Sequence, residues 1–161
     1  MPSVCLSLGS NQDPETHLSS ALASLRQRFD TLRVSAAYRF PAVGFAGADF
    51  VNLAAVIETD LAPDALNDWL HALEDRHGRR RDMPRFSDRT LDIDIILYGD
   101  QILSGRGNLR VPRDELKHAF VLRPLAEIAP DFVVPTDGRT LRELWADHPD
   151  HALAHQIVPV A

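Results

Sequence analysis

The sequence predicts an α+β protein in which one mostly antiparallel sheet carries helices packed on one face. The chain has 161 residues, of which 45% are hydrophobic, and this is enough for a core that needs no disulfide support. Segments with the two-residue hydrophobic period of strands and segments with helical period follow one another in the order β-α-β-β-α-β. Because no repeat or linker interrupts this order, we expect residues 1–161 to form one domain with a ferredoxin-like sandwich fold.

The first half of the chain supplies most of the predicted core elements. An alternating segment ends at the turn residues Gly9–Asn11, and Asp13 followed by Pro14 marks the start of a helix. A segment with proline and glycine, residues 41–49, separates two β-prone runs and predicts a loop. The predicted elements are a strand at 3–8, a helix at 14–29, strands at 32–40 and 50–59, and a helix that opens at Leu61 and ends at Gly78.

The second half adds one long strand and several shorter elements. Residues 91–98 are β-prone and end at Gly99, which predicts a strand. Residues 114–129 have a helical pattern, and Pro124 predicts a break within it. The remaining predicted elements are short β segments near Ile102 and at 109–111, a strand at 132–134, a helix at 141–146 and a β-prone end.

Composition excludes several classes of protein and site. The single cysteine, Cys5, rules out an internal disulfide and any multi-cysteine metal centre. Lys117, the only lysine, is not part of a G-x-x-x-x-G-K-[ST] phosphate loop. No apolar run is long enough to span a membrane and no signal peptide is visible, so we expect a cytoplasmic protein without a membrane partner. The formal net charge of −6 argues against a nucleic-acid partner.

Two aspartates in the run Leu91–Ile95 (LDIDI) point to a metal site. On a strand, residues i and i+2 share a face, so Asp92 and Asp94 project together while their aliphatic neighbours face the core. Two adjacent carboxylates repel each other unless a proton or a cation lies between them, and a hard divalent cation such as Mg²⁺ takes oxygen ligands. The alternative is a solvent-facing strand that carries two charged positions.

A basic segment lies immediately before these aspartates. Residues 76–89 contain six arginines and two aspartates, in a chain that is otherwise acidic. Guanidinium groups bind phosphate oxygens in pairs and offset the charge that develops when a phosphoryl group moves, so this segment indicates a polyphosphate site. The alternative is a solvated loop whose arginines pair with Asp82 and Asp88.

A third group combines aromatic rings with an amide. Phe50, Asn52 and Phe120, together with Pro41 and Val43, could enclose a flat heterocycle. The rings would stack on its faces and the amide would bind its edge. Apolar residues in strands are more often ordinary core residues, and that alternative stays open at this point.

Together these motifs resemble the 6-hydroxymethyl-7,8-dihydropterin pyrophosphokinases of folate biosynthesis, over nearly the whole chain. The most specific stretch is Arg85–Asp94 (RFSDRTLDID), which matches the family pattern R-x-x-x-R-T-[LI]-D-[LI]-D. The other matching stretches are Leu8–Asn11, Phe50–Asn52, Gly78–Arg81, Val111–Pro112 and Ala119–Pro130. The resemblance implies a ferredoxin-like fold and a transferase that moves the pyrophosphoryl group of ATP onto the pterin's hydroxymethyl group and releases AMP.

The resemblance also implies roles for residues around the nucleotide. Asp92 and Asp94 match the carboxylates that bind two Mg²⁺ ions, and Arg79 and Arg89 match the catalytic arginines that neutralise the triphosphate. The other expected ATP-binding residues lie in the loop that closes over the reactants, on the helix beside the nucleotide, or near the later Val-Pro and Ala-Phe pairs: Arg81, Arg85, His71, Glu74, Arg113 and His118.

On the pterin side, the resemblance implies an amide that reads the ring edge and rings that stack on its faces. Asn52 matches the amide and Phe120 matches one of the rings. Phe86 and Phe50 stand where the family often has Trp and Tyr, and phenyl rings keep the stacking surface. The complete expected pterin-binding set is Pro41, Val43, Phe50, Asn52, Phe86 and Phe120.

Two positions depart from the family pattern. Arg113 stands where the family usually has His, and His118 stands where Arg is frequent; we expect Arg113 to substitute for the missing cation. Two alternative functions are an RNA-binding module, whose sheet-face aromatic pattern is absent from the sequence, and a ligand sensor, which would not need the aspartate pair. We therefore expect a monomeric enzyme that uses ATP and Mg²⁺.

Overall fold

The computed structural model describes residues 1–42, 47–78 and 90–160. In these ranges the strands are β1 Ser3–Ser10, β2 Leu32–Val34, β3 Ala37–Phe40, β4 Phe50–Glu58, β5 Asp92–Tyr98, β6 Leu103–Ser104, β7 Arg110–Val111 and β8 Ile157–Val158. The helices are α1 Pro14–Arg28, α2 Pro63–Arg76, α3 Ala119–Ile128 and α4 Leu141–Ala146, with a 3₁₀ turn at Asp114–Lys117.

Six strands form one sheet, in which β5, β1, β4, β3 and β8 are neighbours in that order and β2 also pairs with β4. All of these pairs are antiparallel, as the sequence predicts. Gly9 on β1 lies opposite both Asn52 on β4 and Asp92 on β5, and Tyr38 on β3 lies opposite Asn52. The register therefore aligns Tyr38, Asn52, Gly9 and Asp92 in one row across four strands.

Helices cover both faces of this sheet, so the prediction that they pack on one face is wrong. On one face, Leu22 of α1 and Leu70 of α2 belong to the larger core. On the other face, Leu125 of α3 and Leu141 of α4 pack in a second core that includes Cys5 of β1. Every residue of β1 after the first is buried, and such continuous burial requires cover on both sides.

The predicted strand at 32–40 is divided into β2 and β3 by Ser35. The Ser35 N–H donates to the Ala54 carbonyl at 2.9 Å, and the Ser35 hydroxyl accepts the Ala54 N–H at 2.8 Å. A side-chain oxygen thus replaces a main-chain acceptor at this point. Pairing with β4 resumes at Tyr38 with the register shifted, because the pairs change from Val34–Ala55 to Tyr38–Asn52.

The predicted helix at 114–129 is also divided, and the break lies at His118 rather than at Pro124. His118 has an extended backbone (φ −85°, ψ 142°) between the 3₁₀ turn and α3. Pro124 lies inside α3 and is buried there. Its ring removes only the hydrogen bond that an N–H at this position would give to the Phe120 carbonyl, and the buried face of α3 keeps the helix in place.

Other short elements differ less from expectation. The predicted strand at 132–134 is reduced to a bridge between Val133 and Thr140. Asp13 precedes α1 as predicted, but it has φ 51° and its carboxylate accepts from the Thr16 hydroxyl at 3.2 Å rather than from a backbone N–H. In the part of the chain that the structure describes, no helix is long and apolar enough to cross a bilayer.

Candidate active site

One end of the α3 face of the sheet is polar, whereas the rest of that face is apolar. Cys5 and Ala54 belong to the core beneath α3 and α4. Two residues further along each strand, and on the same face of the sheet, lie the side chains of Ser7 on β1 and Asn52 on β4. Both are buried although they are polar, so this end of the face is built to interact with polar groups.

Asp92 and Asp94 lie on β5 at this polar end. Leu91, Ile93 and Ile95 are buried in the core formed with α1 and α2, which confirms the predicted alternation. The two aspartates are half-buried and, by the same alternation, share the opposite face. The strand therefore holds the two carboxylates side by side.

The surroundings of Asp94 disfavour its charged form. Burial raises the pKa of Asp94 well above its ordinary value, and the neighbouring carboxylate of Asp92 raises it further. Arg113 lowers this pKa, while Glu74 and Glu115 add to the increase. Among the described residues, the negative groups near Asp94 thus outnumber Arg113, and a bound cation would stabilise the carboxylate form of Asp94.

Arg113 lies between Asp94 and Glu115. Its Nη2 is 3.6 Å from Asp94 Oδ1, and its Nε forms an ion pair with Glu115. Burial alone would lower the pKa of Arg113, but Asp94 and Glu115 hold it above its ordinary value. The Arg113 N–H donates to the Ile96 carbonyl at 3.0 Å, so this segment is attached to β5 and the guanidinium faces the carboxylates.

The two predicted residues of α2 lie near the same strand. Glu74 is buried, and its Oε2 accepts the N–H of Ile93 at 2.8 Å. A side chain of α2 therefore takes the place that a neighbouring strand would have at this edge of β5. His71 is half-buried on α2, three residues before Glu74.

The oxygen donors of this pair suit a hard divalent cation. Among residues 1–42, 47–78 and 90–160, no group of three or more His, Cys, Asp or Glu side chains is arranged to hold a metal. An ion bound by Asp92 and Asp94 would have most of its coordination positions left for water and phosphate oxygens, as is usual for Mg²⁺. The raised pKa of Asp94 agrees with this, because burial and the neighbouring carboxylate of Asp92 disfavour its charged form.

Asn52 lies across β1 from Asp92 and has an unused acceptor. It is 6% exposed, and its Oδ1 is buried without a hydrogen-bond partner in the described part of the chain. Buried polar atoms are normally paired, so an unpaired one marks a position for a ligand group. A Cβ on Gly9 would lie 2.6 Å from Asn52 Nδ2, so glycine leaves the room that this amide occupies.

Phe120, at the start of α3, packs in a cluster of aromatic and histidine rings. The His118 ring stacks on it, with centroids 4.9 Å apart and planes at 11°. Phe40 packs edge to face against Phe120 at 6.3 Å, and His155 from the C-terminal segment lies 4.5 Å from Phe40. His118, which the sequence assigns to ATP binding, thus contacts a ring that the sequence assigns to the pterin.

The remaining predicted residues divide into two sets. Phe50 is half-buried at the start of β4 and lies opposite Phe40, and Pro41 is exposed just after β3. The predictions for six residues lie outside the described residues: Val43, Arg79, Arg81, Arg85, Phe86 and Arg89.

Sequence reasoning missed three contributors to this region. Gly9 was interpreted only as a turn residue, although it is opposite both Asn52 and Asp92. Phe40 ended a β-prone run and carried no signal that its ring reaches Phe120. Glu115 follows Arg113 by two residues, and this spacing was the one available hint of their ion pair.

The residues at the polar end of the sheet are typical of one class of enzyme. Asp92 and Asp94 can hold a cation, and the basic segment at 76–89 precedes them directly in the sequence. Asn52 and the rings near Phe120 lie on the same face of the sheet. Such a site suits a transferase that handles a phosphate-bearing substrate next to a flat ring.

The sequence model of the family described as 7,8-dihydro-6-hydroxymethylpterin-pyrophosphokinase (HPPK) matches residues 5–130. The chain therefore belongs to this family, and the resemblance found in the sequence motifs is confirmed.

Curated relatives named 2-amino-4-hydroxy-6-hydroxymethyldihydropteridine pyrophosphokinase match most of the chain. The relative from Pseudomonas aeruginosa is 41% identical over 151 residues, which is 91% of each chain. The relative from Haemophilus influenzae is 37% identical over 153 residues, covering 92% of this chain and 94% of the relative.

A solved structure supports the fold. The structure named Plasmodium falciparum HPPK-DHPS wild type matches with a TM-score of 0.69 at 13% identity, over 90% of this chain. This chain spans 44% of the length of that longer chain. At this low identity the match is evidence of the fold alone, and it confirms the predicted α+β class.

Proposed function

We infer that this chain transfers the pyrophosphoryl group of ATP to the hydroxymethyl oxygen of 6-hydroxymethyl-7,8-dihydropterin and releases AMP, a step of folate biosynthesis. The family match over residues 5–130 supports the reaction. The observation that ties it to this site is the row of Asn52, Gly9 and Asp92. This row places on one face a carboxylate pair and an amide oxygen that has no partner among residues 1–42, 47–78 and 90–160. Two strand spacings separate Asn52 from Asp92, about 10 Å.

The proposed reaction is a displacement at the β-phosphorus. The pterin hydroxyl oxygen forms a bond to this phosphorus, and the bond from the phosphorus to the oxygen shared with the α-phosphate breaks. AMP leaves with that oxygen, and the hydroxyl proton is released. In such transfers the protein contributes positioning and electrostatic stabilisation rather than covalent chemistry.

We assign the metal end of the site to Asp92 and Asp94, with two Mg²⁺ ions in the loaded enzyme. When bound, Mg²⁺ supplies positive charge that offsets the phosphate oxygens. The contribution of the chain is to hold both carboxylates on one face of β5, with Glu74 anchoring that strand to α2 through the Ile93 N–H.

The triphosphate end is assigned to the basic residues of the chain. Arg79 and Arg89 neutralise the charge of the transferred group, as the sequence motif implies. The other residues that the proposal keeps around ATP are Arg81, Arg85, His71, Glu74, Arg113 and His118. For His118, the stacking on Phe120 adds a second assignment, because its position can influence the pterin ring as well.

The pterin end is assigned to Asn52 and the aromatic residues. The Asn52 Oδ1 can accept a hydrogen bond from an N–H at the edge of the pterin. Phe50 and Phe120 provide rings for stacking, and both His118 and Phe40 pack against Phe120. Pro41, Val43 and Phe86 complete this set on the basis of the sequence motif.

The proposal extends to the organisation of the protein. Residues 1–161 would act as one domain and as a cytoplasmic monomer whose partners are its two small substrates. Light scattering after size-exclusion chromatography would give about the 17.9 kDa mass of one chain. A dimer mass would contradict the monomer assignment without affecting the reaction.

The reaction is tested by incubating the purified chain with ATP, Mg²⁺ and 6-hydroxymethyl-7,8-dihydropterin and separating the nucleotide products. We expect AMP in equal amount to pterin diphosphate, and only when all three components are present. Formation of ADP would mean transfer of the γ-phosphoryl group and would contradict the proposed geometry. Pterin binding without any turnover would favour the sensor alternative.

A further inference from the structure

We propose that Arg113 is an internal counter-cation that pairs with Asp94 in the metal-free protein and is retained by Glu115 when a divalent cation takes its place. The inference rests on the proposed function, because it needs Asp94 as a metal ligand. It adds a role that neither the sequence motif nor the family match assigns: Arg113 competes with the metal for Asp94 and sets the metal affinity.

The first support is that the guanidinium group of Arg113 faces two carboxylates with one and the same edge. The Nη2 atom of Arg113 is 3.6 Å from Asp94 Oδ1, while its Nε pairs with Glu115. Nε and Nη2 form the edge with which an arginine binds one carboxylate in bidentate fashion. Arg113 divides this edge between two carboxylates, so the guanidinium keeps its ion pair with Glu115 when a cation replaces it at Asp94.

The second support is the burial of this cluster. The side chains of Arg113, Asp94 and Glu115 are 16%, 23% and 18% exposed. By contrast, Arg110 and Asp114 in the same segment form an ion pair in which both side chains are 65% exposed. Charges shielded from water interact more strongly than exposed ones, so the pairing state of Arg113 affects the energy of Asp94 while that of Arg110 does not.

The third support is that Arg113 is held in place independently of Asp94. Its backbone N–H donates to the Ile96 carbonyl at 3.0 Å, and its Nη1 donates to the Asn108 carbonyl at 3.1 Å. These bonds remain when a metal binds Asp94. The guanidinium then stays a few ångströms from a like charge, which lowers metal affinity, and its bond to Glu115 limits this penalty.

The test is a titration of the metal-free protein with Mn²⁺ alone, following free Mn²⁺ by electron paramagnetic resonance. Arg113→Gln removes the competing charge, so we expect Mn²⁺ to bind more tightly by about tenfold. Arg110→Gln makes the same change at an exposed position nearby, and we expect its affinity to stay within about twofold of wild type. Glu115→Gln returns Arg113 fully to Asp94, and we expect weaker Mn²⁺ binding.

The stability of the metal-free protein provides a second measurement. Arg113→Gln leaves Asp94 and Glu115 without the cation that they share, so we expect a lower melting temperature and a larger increase on adding Mn²⁺ than in wild type. Arg113→Lys keeps a charge, so it should restore both the melting temperature and the wild-type Mn²⁺ affinity in large part. If Arg113→Gln does not fold, the Mn²⁺ affinities of Arg113→Lys and Glu115→Gln are compared with that of wild type instead.

The outcomes separate this inference from the proposed function. If Mn²⁺ binds wild type and Asp94→Asn abolishes binding, but Arg113→Gln binds no more tightly, the counter-cation role is overturned and the metal site stands. An equal change in Arg110→Gln would also overturn it, since burial would then not matter. If neither wild type nor Arg113→Gln binds Mn²⁺, the inference is overturned, whereas the metal assignment in the ATP-loaded enzyme is judged separately by the loss of turnover in Asp94→Asn.

Discussion

At the scale of single residues, Asn52 carries the proposed recognition of the pterin edge. Its Oδ1 is buried and has no partner in the described part of the chain, and its Nδ2 occupies the space left by Gly9. The sequence pattern left open whether this β-prone run is ordinary core, and the resemblance to the family assigned Asn52 to the pterin edge. Only the register of β4 against β1 shows that this amide lies in line with Asp92.

Asn52→Ala is expected to weaken pterin binding by about 10- to 100-fold, because a buried hydrogen bond to the ring edge is lost. Binding of a non-hydrolysable ATP analogue should remain close to wild type. Isothermal titration calorimetry with each ligand measures both affinities. Asn108→Ala, at an exposed position, serves as the control and should bind the pterin normally. Equal pterin affinity in Asn52→Ala and wild type would remove Asn52 from the site.

The identities of the site residues could be predicted to different degrees. The aspartate pair follows directly from strand alternation, since Ile93 between them had to face the core. The partnership of Arg113 with Glu115 could not be predicted, because it depends on how the 3₁₀ turn after Arg113 folds back on β5. A resemblance assigns a residue type to a position, but it does not state which neighbour the side chain will face.

At the scale of elements, α4 is stabilised by its first turn. The Thr140 hydroxyl accepts the Glu143 N–H at 3.2 Å, and the Glu143 carboxylate accepts the Thr140 N–H at 3.0 Å. This reciprocal arrangement satisfies two backbone donors that a helix start would otherwise leave unpaired. With only six residues, α4 depends on such a cap and on its packing against α3.

Thr140→Ala is therefore expected to lower the free energy of unfolding by about 1 kcal/mol. Urea unfolding followed by circular dichroism measures this change. Thr136→Ala, which removes an exposed threonine before the helix, should change the free energy by less than about 0.5 kcal/mol. If both variants have the same stability, the cap contributes nothing measurable.

Element boundaries were predicted best where local chemistry decides them. α1 begins at Pro14 as Asp13 and Pro14 predict, whereas α2 begins at Pro63, two residues after the predicted start at Leu61. The break of the second predicted strand at Ser35 was missed, because it depends on a hydrogen bond between the Ser35 hydroxyl and the Ala54 N–H on another strand. The break predicted at Pro124 does not occur, because burial of α3 outweighs the loss of one backbone hydrogen bond.

At the scale of the whole molecule, the sheet is a middle layer between two helical layers. The core on the α1–α2 face and the core on the α3–α4 face meet the same strands. The near-continuous apolar runs of β1 and β4 were the available signal for this arrangement. The predicted β-α-β-β-α-β order does not include α3 and α4, which follow it in the chain. The order of elements alone does not say which face of the sheet these two helices cover.

Leu125→Ala and Leu70→Ala test whether helices on both faces of the sheet contribute to the core. Both side chains are fully buried, on opposite faces, so each truncation is expected to cost about 2–5 kcal/mol of unfolding free energy. Leu153→Ala, at a position that is 56% exposed, should change it by less than about 0.5 kcal/mol. A small effect of Leu125→Ala, comparable with that of Leu153→Ala, would show that the α3 face contributes little to the core.

The central claim is that the carboxylates on β5 act in pyrophosphoryl transfer. Its most direct test compares Asp94→Asn with Asp114→Asn in an assay of AMP formation at saturating ATP, Mg²⁺ and pterin. Asp114 is exposed and pairs with Arg110, so its variant controls for the loss of one negative charge in the same region. We expect the kcat of Asp94→Asn to fall by at least about 100-fold with the fold intact by circular dichroism, and that of Asp114→Asn to stay near wild type. Full turnover by Asp94→Asn, or an equal loss in Asp114→Asn, would contradict the account.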